Sequence, residues 1–165
     1  MKKLILVRHA KSDWGDVSLS DHNRLLNERG LQAAPMMGQR LLSKQIIPDL
    51  IVSSTAYRAT ATAKLMAAEL GCLDKITSNA NIYEAGTQTL QEIIRRLDDA
   101  YDQVMLVGHN PGFSMLVNEL QKQEFIPGMP TCATAVLSFD VEHWADVKQG
   151  ELLDYDYPKR NTDTP

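Results

Sequence analysis

LILVRHAKSDW, residues 4–14, is the stretch on which the reading of this chain turns. Leu4 to Val7 run without polar alternation, the pattern of a strand buried on both faces rather than on one. The run stops at Arg8 and His9, with Lys11 close behind. The chain carries 17 Lys and Arg against 21 Asp and Glu, for a net charge of −4. It nevertheless places three cationic or potentially cationic side chains where a buried strand leaves the core.

Outward from that strand, short apolar runs alternate with longer helical patterns, as in βαβ units around a mostly parallel sheet. DLIVSS (49–54) and QVMLVGH (103–109) read like the first strand. TAVLSFDV (134–141) is a fourth, and ELLDYDY (151–157) an edge strand. Asn27 is placed to cap a helix through ERGLQAAPMMGQRLLSK, where Pro35 predicts a kink or a later start. AYRATATAKLMAAEL (56–70) is a second helix, with Gly71 as its stop. TLQEIIRRLDDAY (89–101) and GFSMLVNELQKQ (112–123) are the third and fourth, and residues 124–133 are a loop. Residues 1–157 read as one domain and 158–165 as a polar tail.

Composition narrows the function. With no basic block or face, general affinity for nucleic acid or anionic lipid is not expected. The N-terminal apolar run is too short for a signal peptide, and no segment is long and apolar enough to span a bilayer, so a cytosolic protein is expected. Cys72 and Cys132 suggest packing residues rather than a disulfide framework. His9, His22, His109 and His143 lack metal-ligand spacing, so no metal is expected. The phosphate-loop and dinucleotide fingerprints are absent. DYDYP (154–158) only faintly resembles an aspartate-nucleophile motif, and it ends in a proline near the C-terminus.

Position supplies what motif scanning does not. Ligands of open α/β sheets bind beyond the carboxyl ends of the parallel strands. Arg8 and His9 follow the first strand there, Ser53 and Ser54 lead to Arg58 after the second, and His109 follows the third. Arg58 falls in the first turn of its helix, near free N–H groups and the positive end of the dipole. Two arginines, two histidines and a helix N-terminus suit an anion, and arginine suits the oxygens of phosphate. Spacing alone leaves two readings open, a phosphate-handling site or separate polar residues at strand ends.

LVRHAKS, SSTAYRATATA and VGHNP together resemble the histidine phosphatase superfamily. Its motifs are an early R-H-G, a central S-x-x-x-R-[AC]-x-x-T-A and a late G-H. DHNRLLNERGLQA resembles the R-x-L-[TN]-x-x-G segment between the first two. The short chain, the continuation Ala10-Lys11-Ser12 and the late YPK are most similar to the SixA-type phosphohistidine phosphatases. The resemblance implies a phosphoglycerate mutase-like three-layer α/β/α sandwich with a mostly parallel central sheet. It implies His9 as a transiently phosphorylated nucleophile, with Arg8, Arg58 and His109 holding the phosphoryl group and no cofactor. Ser12 and Ser54 are candidate hydrogen-bond donors to phosphate oxygens. The mutase continuation R-H-G-E-S-x-W-N is not kept, since Ala10, Lys11 and Gly15 replace its glycine, glutamate and final asparagine. Without a long insertion to cover it, the site is expected to be open, which suits a phosphorylated side chain on a protein. The expected substrate is a phosphohistidine-containing protein in signalling or phosphotransfer. The alternatives are a small phosphate ester, with Glu84 of NIYEAGT as proton donor, or a non-catalytic phosphate-binding module.

Overall fold

The computed structural model describes residues 1–14 and 18–160. Gly15 and the end of the polar tail lie outside the described residues. The described residues form a six-stranded sheet in the order β3-β2-β4-β1-β5-β6. Its strands are β1 (Lys2–Arg8), β2 (Leu50–Ser53), β3 (Ile76–Ser78), β4 (Gln103–Gly108), β5 (Thr134–Phe139) and β6 (Glu151–Asp156). β1, β2, β3 and β4 run parallel, and β5 lies antiparallel between β1 and β6.

Burial on both faces explains the unalternating strands. Ile5, Val7, Met105 and Val107 pack against α1 (Glu28–Ser43) and α2 (Tyr57–Leu70). Leu4, Leu6, Val104 and Leu106 face the opposite side, against α3 (Thr87–Arg95) and α4 (Gly112–Leu120). The result is the expected α/β/α sandwich. No helix among the described residues is long and apolar enough to cross a membrane.

Register brings the functional edge together. Arg8 pairs with Gly108, and Ser53 with Val107. The residues after β1, β2 and β4 therefore emerge side by side, with β4 between the other two.

Several boundaries differ from the sequence reading. α1 runs through Pro35 without a break. The carbonyl that loses its donor belongs to Leu31, which is 52% exposed, so solvent can take the donor's place. α3 ends at Arg95 rather than running to residue 101, and the Asp98 carboxylate accepts from Ala100 N in a competing turn. α4 ends at Leu120 because the Gln121 side chain takes the N–H groups of Gln123 and Glu124. β3, three residues long, was too short to register as a periodic signal. Asn27 caps α1 as expected, accepting from Gly30 N at 2.9 Å, and Gly71 ends α2 at φ 70°.

Gly30 has a second role. Its Cα faces the main chain of Lys11, and a Cβ there would overlap the Lys11 carbonyl oxygen. Asn27 N donates to that same oxygen at 3.0 Å. The start of α1 thus locks the loop that carries His9. Gly30→Ala is expected to lower stability by about 1–3 kcal/mol through overpacking against rigid backbone. Urea denaturation with an unchanged slope would check this, and a wild-type midpoint would refute the contact.

Candidate active site

The loop after β1 is pinned from several sides. Arg8 N donates to Ala133 O at 3.1 Å, His9 N to Gly108 O at 2.9 Å, and Cys132 N to His9 O at 3.0 Å. Ala10 N donates to Thr62 Oγ1 at 2.9 Å, and the Thr62 hydroxyl donates to Arg58 O at 2.7 Å. Thr62 is the threonine of the S-x-x-x-R-A-x-x-T-A pattern. It couples the backbone beside His9 to the first turn of α2.

His9 has one tautomer that satisfies its surroundings. Its Nδ1 lies 2.7 Å from Ala10 O, which can only accept, so Nδ1 carries the hydrogen. Nε2 is then unprotonated, and Arg58 Nε donates to it at 3.3 Å. Burial is the main force pushing the His9 pKa down to about 3. The Ala10 carbonyl works against that shift, while His109, Arg58 and Arg8 reinforce it.

His109 lies beside it, ring centroids 5.2 Å apart. Its Nε2 is 2.7 Å from Ser54 Oγ. Ser54 is wholly buried and its oxygen also receives Ala56 N–H, at 3.2 Å. When the Ser54 hydroxyl donates to His109 Nε2, the His109 hydrogen sits on Nδ1. Burial, and after it Arg58, push the His109 pKa down to about 4, with Asp21 opposing. Arg8 Nη1 donates to Met129 O at 3.0 Å. Arg8 Nε and His109 Nδ1 are both buried without a hydrogen-bond partner among the described residues. Two buried polar atoms left without a partner in this way are costly unless a ligand meets them.

Arg58 is held by more than His9. Its Nη1 donates to Asp21 O at 2.7 Å, and its Nη2 meets Asp21 Oδ2 at 3.2 Å. Asp21 also pairs with Arg24 Nε at 3.1 Å and accepts from the Tyr83 hydroxyl. The Tyr83 bond heads the influences that hold the Asp21 carboxyl below its ordinary range, and it drives the Tyr83 phenol up to about 12. Arg24 Nη1 donates to Ser12 Oγ at 2.7 Å, and its guanidinium lies 3.3 Å over the ring of Trp14.

Arg8, His9, Ser12, Arg24, Arg58 and His109 wall one cleft of about 350 Å³. Ser54 stands behind His109 rather than in that cleft, so its hydroxyl meets the imidazole. Ser12 reaches the cleft with its oxygen engaged by Arg24. Glu84 is exposed at φ 58° and walls a neighbouring groove that shares His109. His22 lies edge-on to Tyr83 and pairs with Thr55 Oγ1 at 2.9 Å, while His143 pairs with Asp99 on another face. Sequence reasoning missed Arg24, Asp21, Tyr83 and Thr62 as parts of the site. Arg24 and Thr62 stood inside patterns that had been recognised, but Asp21 and Tyr83 gave no separate signal.

The fold and cleft define an α/β protein with paired imidazoles and arginines at the ligand edge of a parallel sheet. Residues 4–103 match the family model of the histidine phosphatase superfamily (branch 1). The chain belongs to that superfamily, and membership implies phosphatase chemistry. An uncharacterized chloroplastic protein of Arabidopsis thaliana is 34% identical over 154 residues, covering 88% of this chain and 70% of its own length. A structure from Agrobacterium tumefaciens, provisionally assigned as the phosphohistidine phosphatase SixA, superposes with a TM-score of 0.83 at 28% identity. That match covers 95% of this chain and 98% of the other. The protein histidine phosphatase SixA solved with tungstate shares the fold at a TM-score of 0.78 and 20% identity, over 94% of this chain and 97% of its own.

The depressed histidines have a consequence for stability. Their ordinary pKa is 6.5, and the folded protein holds them at about 3 and 4. Between those limits the unfolded chain binds protons that the folded site refuses, so stability falls as pH drops through that window. The urea midpoint is expected to fall from pH 7 to pH 4.5, and to fall less steeply in His9→Asn. An equal fall in both proteins would contradict the assignment for His9.

Proposed function

We propose that the chain is a metal-independent phosphatase that hydrolyses phosphohistidine in proteins through a phosphoenzyme on His9. The observation that carries this reading is the unprotonated Nε2 of His9, facing a cleft where Arg8 Nε and His109 Nδ1 are buried without a hydrogen-bond partner among the described residues. A nucleophilic lone pair and donors for the oxygens it would attract occupy the same small volume.

On this reading Nε2 attacks phosphorus in line, forming the His9 N–P bond as the P–N bond to the substrate imidazole breaks. Arg8, Arg58 and His109 stabilise the charge on the transferring oxygens. The departing imidazole leaves neutral when its other ring nitrogen carries a proton, so a strong general acid is not required. Water then attacks phosphorus and releases one proton, the His9 N–P bond breaks, and inorganic phosphate departs with Nε2 restored. The low His9 pKa keeps the nucleophile unprotonated at neutral pH. The guanidiniums supply the positive charge that a metal ion supplies in other phosphoryl-transfer sites.

Hydrolysis of a small phosphate ester is the second reading, and the position of Glu84 favours it. Its carboxylate walls a groove that adjoins His109, where a leaving alkoxide could receive a proton. The two readings separate on Glu84→Gln, assayed with a phosphohistidine peptide and with an alkyl phosphate. The first expects phosphohistidine turnover to stay near wild type while any alkyl phosphate turnover falls roughly 10²–10⁴-fold. Alkyl phosphate turnover by wild type with none on phosphohistidine would overturn the first reading.

A further inference from the structure

A second cavity, about 400 Å³, adjoins the catalytic cleft and shares Lys11 and Thr131 with it. One wall is the face of α1 formed by Arg29, Gln32, Ala33 and Met36. These positions follow the i, i+3, i+4, i+7 spacing of a single helical stripe. The opposite wall comes from Pro130 and the Tyr157–Lys159 segment. Because Gly30 packs on the Lys11 main chain, the groove starts at the loop carrying His9 and follows α1 away from it.

Its chemistry is mixed in a particular way. Met36, Ala33, Pro130 and Tyr157 give it apolar surface. Lys11, Arg29 and Lys159 are exposed at its rim, and none of their side chains pairs with a carboxylate among the described residues. Two other cations near the C-terminal segment are paired, Arg40 with Asp156 and Lys44 with Asp154 and Asp156, while Arg160 donates to the Tyr155 carbonyl instead. A chain of net charge −4 thus places three cations without a carboxylate partner among the described residues around one apolar trough.

We propose that this groove docks an acidic, amphipathic helix of the phosphorylated partner protein, seating its apolar stripe in the trough and its carboxylates on Lys11, Arg29 and Lys159. The inference rests on the phosphatase reading for the role of docking, since the shared wall would hand the phosphorylated side chain to His9. Apolar anchors at helical spacing supply affinity in such grooves, and the charged rim selects the partner and sets its orientation. An acidic helix suits the rim, whereas a basic one meets like charge.

The test separates docking from catalysis. A fluorescein-labelled peptide of about 18 residues, long enough to hold helix, carries a leucine stripe flanked by glutamates, and its control has lysines for the glutamates. Anisotropy titration at low salt is expected to show the acidic peptide binding at least about tenfold tighter, with the preference fading as salt is raised. Arg29→Glu combined with Lys159→Glu is expected to abolish the preference while leaving phosphoimidazole hydrolysis near wild type. Equal binding of the two peptides, or a preference that survives charge reversal, overturns the proposal. A fully folded double variant that loses phosphoimidazole hydrolysis also overturns it, by assigning the groove to the catalytic site. So does sedimentation showing that the groove closes on a second copy of this chain. If wild type binds the acidic peptide but hydrolyses no phosphorylated compound, the phosphatase reading fails and the docking surface stands.

Discussion

The hydrogen bond from Arg58 Nε to His9 Nε2 is the constraint around which the site is arranged. It requires a bare nitrogen, and the Ala10 carbonyl on the other side of the ring requires a protonated one. The two demands agree on one tautomer. Each depends on backbone placed by distant segments: Ala10 is held by Thr62 of α2, and Lys11 by Asn27 at the start of α1. The sheet matters to the chemistry chiefly because it sets β1, β2 and β4 in register, so that these segments meet.

That bond also links the resting site to the proposed reaction. While Nε2 is free, Arg58 Nε points at its lone pair. Once phosphorus occupies that lone pair, the same donor loses its acceptor beside three phosphoryl oxygens. The donor would then stabilise the group that replaced its partner, without a large movement. Asp21 keeps the rest of the Arg58 guanidinium oriented and ties it to Arg24 and Tyr83. An anion at the cleft therefore meets a cationic frame already fixed by a carboxylate, rather than side chains that must first be ordered.

Much of this was legible before the structure. The unalternating LILV and VMLV runs identify buried parallel strands, because both faces of such a strand pack against helices. The convergence of Arg8, His9, Arg58 and His109 was expected from their places after the first, second and third strands and the ligand-edge rule, and the strand order that sets those strands side by side came with the structure. Helix ends were less legible, since Asp98 and Gln121 terminate helices through local side-chain bonds that periodicity does not encode. Ser54 was expected to face the ligand, yet it stands behind His109, because alternation beyond a strand end cannot distinguish a lining residue from one that orients it. Asp21 and Tyr83 meet Arg58 only through tertiary packing between segments far apart in the chain, which no local pattern records.

The central claim is that Nε2 of His9 is the atom that accepts the phosphoryl group. Incubation with radiolabelled phosphohistidine peptide, rapid quenching at alkaline pH, and mapping of the labelled residue and ring nitrogen by mass spectrometry and phosphorus NMR would test it most directly. The account predicts an acid-labile phosphoryl group on Nε2 of His9 that is absent from His9→Ala. Label on Nδ1 or on another residue, or turnover that persists in His9→Ala, would contradict it.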